Sequence, residues 1–492
     1  MNPANVESMV NRRFNKYKVL AETALEHGRT DATGFYLYKA AHLMYQYNTV
    51  YYDCDLESDI GKLAKSMGTI QCSPNIGTVM IVDTFGKSLR VLAWQYAKAI
   101  VDLNLKLVFV VSKQSSASSD FDLLEHYLNE NGCIITYFDD DMRHFSRSVT
   151  SLRDVIAAYS PEHLLFHGKP WDVISLTSIN SINGPTKYLI NLTDHAFWLG
   201  STCFDCFLEF REYGRSISVW RRGIEDNKEA YLPYYPAQTI VDTPFEGLPF
   251  KESTDFFVAG GTGYKIQGSD KFQIMVESIL QDNEDIVFLW LSNDVPSSIE
   301  MLIAKFPTRV YHQPERQDFF EVCKRALFLL QTYPIYGALI TQIAAQAGIV
   351  PITLLLEGTE PAGNLLSEEQ NVGIDFTTID DAVYEAKRLI EDVGYREERR
   401  HEISSTIVTP ADFSKRLGLV LMGERQGFSH ERPARPEDES FRQTYLARCS
   451  SRLKFERTDY HRLDATHPRI WNPYKVSIGL SKIKNKVRKA MN

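Results

Sequence analysis

Three stretches of the 492-residue chain carry residue types whose order could do chemistry. The first is Phe257-Val-Ala-Gly260-Gly261-Thr262-Gly263-Tyr264-Lys265. Glycines let backbone N–H groups approach an anion closely, and a lysine a few residues on can neutralise a diphosphate as a point charge. The stretch is neither G-x-x-x-x-G-K-[ST] nor a good G-x-G-x-x-G, so neither a P-loop kinase nor a dehydrogenase is indicated. A glycine-rich turn with a solvated lysine would use the same residues. The second is Tyr333-Pro-Ile-Tyr-Gly337-Ala-Leu-Ile-Thr341-Gln342, continuing through small residues to Gly348 and Pro351. Here a Gly/Pro loop enters a small-residue helix whose first N–H groups, with the Thr341 hydroxyl, could meet phosphate; an ordinary packed helix fits as well. The third is Asn191-Leu-Thr193-Asp194-His195-Ala-Phe197-Trp198-Leu-Gly200, directly after a strand-like run. An imidazole titrates near neutral pH and an adjacent carboxylate can orient it, which is what a general base needs. Adjacent side chains need not touch, so the pair could equally make two separate contacts. His167, followed by Gly168 and Lys169, is a weaker candidate at another strand end.

These stretches need elements to hold them. Residues 5–68 have helical spacing, with Gly28 and Thr33-Gly34 as the break between helices, and such helices should pack on the α/β region C-terminal to them. From 78 the texture alternates: strands over 78–83, 105–111, 133–138, 163–166 and 187–191, with helices over 89–103, 121–129 and 149–159. A second alternation has strands over 255–259, 286–291, 308–312, 327–331 and 350–355, and helices over 271–280, 297–305, 319–326, 340–347 and 379–393. Alternation of this kind predicts an α/β protein of two doubly wound, Rossmann-like parallel sheets with ligands outside the carboxyl ends of their strands. The expected divisions are a helical region over 1–72, a first lobe over 73–240, a second over 241–424 and a wrapping tail over 425–492.

Composition narrows the function. A net charge of −9 argues against a nucleic-acid coat, and 44% hydrophobic with 24% charged residues is ordinary for a folded protein. Seven scattered cysteines predict reduced thiols, and Cys203-Phe-Asp-Cys206 lacks the second ligand pair of a zinc site. No metal site is expected; Asp139-Asp140-Asp141 reads as a solvated turn. Basic residues near the N-terminus interrupt any signal-peptide core, and the uncharged run over 326–356 is punctuated by Gln and Pro, which suits strand, helix and strand better than a membrane span. After Asp464 there are seven basic residues and no acidic one, and Val476, Leu480, Ile483 and Val487 form an apolar stripe. Residues 475–492 therefore predict a basic amphipathic helix on the inner membrane surface, or one docked on the acidic body.

Two α/β lobes, a histidine loop in the first, and a Gly-Gly-x-Gly-Tyr-Lys turn plus a Gly-loop–helix element in the second resemble bacterial nucleotide-sugar-dependent glycosyltransferases of the GT-B fold, of the surface-polysaccharide type. The similarity extends to Asn191 through Gly200, Arg211-Glu-Tyr-Gly214, Arg221-Arg222-Gly223-Ile224, Leu232-Pro233 and Lys39-Ala40-Ala41-His42. The resemblance implies that Gly260, Gly261, Thr262, Tyr264 and Lys265 meet a diphosphate, that Gly337, Thr341 and Gln342 cap the phosphates or sugar, and that His312 flanks the base. His195, supported by Asp194, would then be the catalytic base beside a glycan or lipid-linked acceptor. No cofactor beyond the nucleotide-sugar substrate is implied. Retaining members carry a glutamate before the small-residue helix and another eight residues on; this chain has Ile335 and Ile343 there, which favours inversion. A UDP-sugar 2-epimerase and a non-catalytic scaffold are the alternatives. The expected location is cytoplasmic and peripheral.

Overall fold

The computed structural model describes residues 3–424 apart from 86–89, 114–118, 234, 236–243 and 368–370, together with 432–436 and isolated positions up to 446. The expected helix over 475–492 lies outside the described residues, as does Gly86.

Three helices open the chain: α1 (Pro3–Glu26), α2 (Thr30–Tyr47) and α3 (Cys54–Ser66). The expected break at Thr33-Gly34 is not one, since both residues lie inside α2. Gly34 serves packing: a Cβ there would come within 2.5 Å of the Phe145 ring. The apolar sides of the three helices merge with the first sheet into one buried cluster from Val6 to Phe207, so they are a layer of that lobe.

The first sheet comprises β1 (Asn75–Asp83), β2 (Lys106–Ser112), β3 (Ile134–Phe138), β4 (Pro161–His167), β5 (Thr186–Ile190), β6 (Cys206–Glu209) and β7 (Glu229–Tyr231). All are parallel, in the order β3-β2-β1-β4-β5-β6-β7. The second sheet comprises β8 (Phe256–Gly260), β9 (Val287–Leu291), β10 (Val310–Gln313), β11 (Phe328–Leu330), β12 (Val350–Leu354) and β13 (Asp375–Phe376). Its order is β10-β9-β8-β11-β12-β13, again parallel. Both sheets thus reverse their winding beside their first strand, where an open α/β sheet leaves a crevice at the carboxyl ends. Strands buried on both faces explain the continuous apolar runs: Val79, Met80, Ile81 and Val82 are wholly buried. Each such side chain contributes roughly 1.5–3 kcal/mol.

Beyond the expected elements lie β6, β7 and the helices Val173–Asn180 and Glu212–Arg221. The helix expected over 379–393 ends at Glu391, and Asp392 then caps a new one, Val393–Ser405, by accepting from Tyr395 N. A last helix, Pro410–Leu421, falls within the span expected for the second lobe. It packs instead on the first, with Phe413 5.0 Å from the Tyr96 ring and Leu417 and Val420 fully buried. The described tail residues also lie on the first lobe: Trp220 donates to the Pro433 carbonyl and Arg442 to that of Thr49.

Candidate functional site

The loop after β5 carries the first half of the site. His195 Nδ1 lies 3.1 Å from Asp194 Oδ1; the carboxylate side chain is 1% exposed and the imidazole 38%. A buried carboxylate needs a partner, and Arg211 supplies it from the cap of the helix Glu212–Arg221: Nε donates to Asp194 Oδ2 at 2.6 Å and Nη2 to Oδ1 at 3.2 Å. Burial alone would push the Asp194 carboxyl up; the Arg211 guanidinium and His195 hold it well below the usual carboxylate range. Other segments fix the loop backbone. Asn48, just past α2, donates to the His195 carbonyl at 2.8 Å and accepts from Phe197 N at 3.0 Å. Arg222 Nη2 donates to the Asp194 and Ala196 carbonyls at 3.0 and 2.7 Å, its guanidinium 4.4 Å from the Trp198 ring centroid.

Beneath the loop, Glu209 at the end of β6 accepts from Asn191 Nδ2 and Ser218 Oγ. Burial pushes its carboxyl up to about 7. Gly214 keeps that space clear, because a Cβ there would lie 2.2 Å from Glu209 Oε2 and 3.2 Å from Asp194 Cβ. Asn191, Arg211, Gly214 and Arg222, scattered over 32 positions of sequence, therefore converge on one loop.

The second half hangs from β8. Gly260 ends the strand, Gly261 has a φ of 122° that favours glycine, and the turn Gly263–Ile266 brings Lys265 back over it. Lys265 N bonds the Thr262 carbonyl at 3.0 Å. A Cβ on Gly337 would stand 3.1 Å from Lys265 Nζ, so the ammonium lies at the mouth of the helix Ala338–Gln346, whose cap Gly337 has no side-chain cap of its own. Positive charge and the N-terminal end of a helix dipole thus point to one place.

Thr341 and Gln342 sit differently from the expectation drawn from the resemblance. Both are buried: Thr341 Oγ1 donates to the Gly337 carbonyl at 2.7 Å and accepts from Gln331, while Gln342 Nε2 donates to the Leu365 carbonyl. They brace the helix start. His312, on the sheet-edge strand β10, has Nε2 2.8 Å from the Ser292 carbonyl and does not line the interlobe cavity. His167 pairs with Asp83 at 2.7 Å, both wholly buried at the ends of β4 and β1.

That cavity, of about 160 Å³, has walls that include His195 and Arg211 from the first lobe and Tyr264, Lys265, Tyr336 and Glu360 from the second. Sequence reasoning brings His195, Tyr264 and Lys265 to this region but misses Arg211, Tyr336 and Glu360. Glu360 follows β12 in the loop after Gly358, the position from which an open sheet presents ligand groups; that location is a usable signal. Burial raises its carboxyl above the usual range, against the pull of Arg211. Among the described residues no group of three or more His, Cys, Asp or Glu could hold a metal ion, and no helix is long and apolar enough to cross a membrane.

No family model and no curated protein matches the sequence. Solved structures do match. Anabaena HepE in complex with UDP-glucose superposes with a TM-score of 0.52 at 10% identity, over 70% of this chain and 99% of that one. A glycosyltransferase from Rickettsia africae gives 0.51 at 10% identity, over 70% and 98%. The chain has the GT-B fold. That fold is shared across reactions, since the UDP-GlcNAc 2-epimerase from Neisseria meningitidis bound to UDP-GlcNAc gives 0.50 at 14% identity, over 70% and 98%. Chemistry must therefore be read from the site.

Proposed function

We propose that the chain is a glycosyltransferase moving a sugar from a nucleotide-sugar donor, a UDP-sugar, to a glycan or lipid-linked acceptor with inversion. The observation that carries the reading is a single interlobe cavity with the Asp194-supported imidazole of His195 on one wall and Lys265, beside a helix N-terminus, on the other. A whole nucleotide sugar needs a site of roughly 300–1,000 Å³. The 160 Å³ cavity suits the sugar and its phosphate junction, with the nucleoside extending along the cleft beyond it.

In this reading Lys265, the glycine turn at 260–263 and the first N–H groups of the helix after Gly337 receive the diphosphate. The sugar lies between them and His195, with Glu360 in reach of its hydroxyl groups. His195, its Nδ1 held against Asp194, takes the proton of the acceptor hydroxyl through its other ring nitrogen. The acceptor oxygen then bonds the anomeric carbon as the bond from that carbon to the phosphate oxygen breaks. The bonding pair leaves on the diphosphate, where Lys265 and the helix end stabilise it. UDP is favoured because two matching structures hold UDP-sugars. The test is to incubate UDP-glucose and UDP-N-acetylglucosamine with candidate lipid-linked acceptors and identify products by mass spectrometry. UDP release tied to a glycosylated acceptor supports the reading; the anomeric configuration of that product decides inversion.

A second reading, a UDP-sugar 2-epimerase, draws on the Glu360 carboxylate in the cavity and on the epimerase match. An altered sugar formed from UDP-N-acetylglucosamine without any acceptor would select it. A lack of any nucleotide thermal shift would select a scaffold instead. We further propose that residues 475–492 hold the enzyme peripherally on the cytoplasmic membrane face, each basic residue contributing up to roughly 1 kcal/mol. Liposome flotation tests this: a chain ending at Asp464 should lose binding to anionic vesicles, and equal flotation with and without the tail would remove the proposal.

A further inference from the structure

One interlobe hydrogen-bond chain runs from Asp194 beyond the groups of the proposed transfer step. Arg211 presents three sides of its guanidinium in one plane: Nε and Nη2 grip Asp194, and Nη1 donates to Tyr336 Oη at 3.1 Å. The Tyr336 hydroxyl has a single hydrogen, which it gives to the Glu360 carbonyl at 2.9 Å, leaving a lone pair for Arg211. Asp194 and Arg211 belong to the first lobe, Tyr336 and Glu360 to the second. Arg211 is 5% exposed, and Tyr336 packs against the buried trio Leu92, Phe210 and Leu365, which itself draws on both lobes. Burial pushes the Tyr336 phenol up to about 12, so it stays a neutral donor.

We propose that Tyr336 is a positioning residue: through Arg211 and Asp194 it ties the orientation of the His195 imidazole to the seating of the second lobe. The physical basis is the rigid fork. A guanidinium holds its N–H groups in fixed directions, so it meets the Asp194 carboxylate squarely and Tyr336 at the same time only when the two lobes are in register. Displacement of the second lobe pulls Arg211 off one partner, and the carboxylate that orients His195 turns with it. The Glu360 carbonyl links the same chain to the loop that would hold the donor sugar, so the base is aligned where the donor lobe is closed and misaligned where it is open. The inference rests on the reading of His195 as base, and its test separates the two.

The experiment combines Tyr336→Phe with His195→Ala and the double variant, assayed as UDP release from UDP-N-acetylglucosamine with acceptor, and reads the imidazole nitrogen signals of His195 by NMR without ligand. Tyr336→Phe should lower kcat roughly 10- to 100-fold, the scale of a small misplacement of a reacting group. The UDP dissociation constant should stay within about 3-fold, and the His195 nitrogen signals should shift. In the His195→Ala background the same change should alter turnover less than about 2-fold, because the two residues act through one group. Unaltered His195 signals in Tyr336→Phe, or an equal loss in both backgrounds, would overturn the proposal. Wild-type turnover in His195→Ala would instead strike the base assignment, and the NMR signals would still decide whether Tyr336 governs the ring. Arg211→Lys, which keeps the charge but loses the fork, is the second variant should Tyr336→Phe fold poorly; it should shift the same signals.

Discussion

His195 is held by four side chains, Asn48, Asp194, Arg211 and Arg222, with Glu209 beneath them, whereas Lys265 is held by a glycine turn and the open mouth of a helix. The difference follows from the tasks proposed for the two walls. A general base acts through one nitrogen, so its ring must be fixed in rotation and tautomer, and that takes directional partners. An anion site needs donors and clearance, and a flexible ammonium with backbone N–H groups provides both. Polar scaffolding therefore concentrates on the first lobe and small residues on the second.

If that contrast is right, the walls should fail in different ways. His195→Ala should cut turnover roughly 10²- to 10⁴-fold while leaving the UDP dissociation constant unchanged, as measured by parallel rate assays and calorimetry. Lys265→Ala should do the reverse at the binding step, weakening UDP by about 1.5–3 kcal/mol, the worth of a hydrogen bond to a charged group; an unaltered dissociation constant would remove the lysine from the diphosphate site.

Glycines sharpen the comparison. Gly214→Ala forces a Cβ against the Glu209 carboxylate and the Asp194 side chain, both locked in place, and should cost about 1–3 kcal/mol of stability in a denaturant titration. A pH scan probes the same scaffold. Burial raises the Glu209 carboxyl to about 7, so below about pH 4.5 folded and unfolded chains both hold the proton. As pH rises from there to about 7 the unfolded chain releases it first, and stability falls by about 1–3 kcal/mol before levelling off. Glu209→Gln should flatten that slope, leaving the part due to other carboxyls that burial also raises, Glu57, Glu229 and Glu360 among them; a slope of full size would show that Glu209 is ionised in the fold. Gly337→Ala should have the smallest effect. Its new Cβ meets the Ile340 side chain at 2.9 Å and the end of Lys265 at 3.1 Å, so both must give a little and UDP affinity should fall by about 0.5–1 kcal/mol, the cost of moving a side chain off its rotamer.

The second sheet is the more legible in sequence. Val287–Leu291 is an unbroken apolar run and Val350–Leu354 is interrupted only by Pro351 and Thr353, the pattern of strands buried on both faces, and Ser297–Lys305 matches its expected span. The misses share a cause. Cys206–Glu209 and Glu229–Tyr231 are too short for periodicity, and Val173–Asn180 mixes Ile, Thr and Ser, which favour helices weakly. Pro410–Leu421 carries a readable start in Thr409-Pro410 with Asp412, whose backbone N bonds Thr409, but its return to the first lobe is a tertiary fact. The site divides the same way. Asp194 and His195 are neighbours and can be suspected from the chain alone, while Arg211, Tyr336 and Glu360 join them only because parallel strands bring distant loops to one edge. Arg211, Gly214 and Arg222 could be recognised as a pattern; only the structure gives them a reason, as the frame of the histidine loop.

The central claim is that a diphosphate on Lys265 and the imidazole of His195 share one cleft. Titrating UDP-N-acetylglucosamine while following the His195 nitrogen signals by NMR tests this directly. The signals should move saturably in the native chain and far less in Lys265→Ala at the same sub-saturating concentrations. Stationary His195 signals at saturating nucleotide, or the same displacement with Lys265 removed, would contradict it.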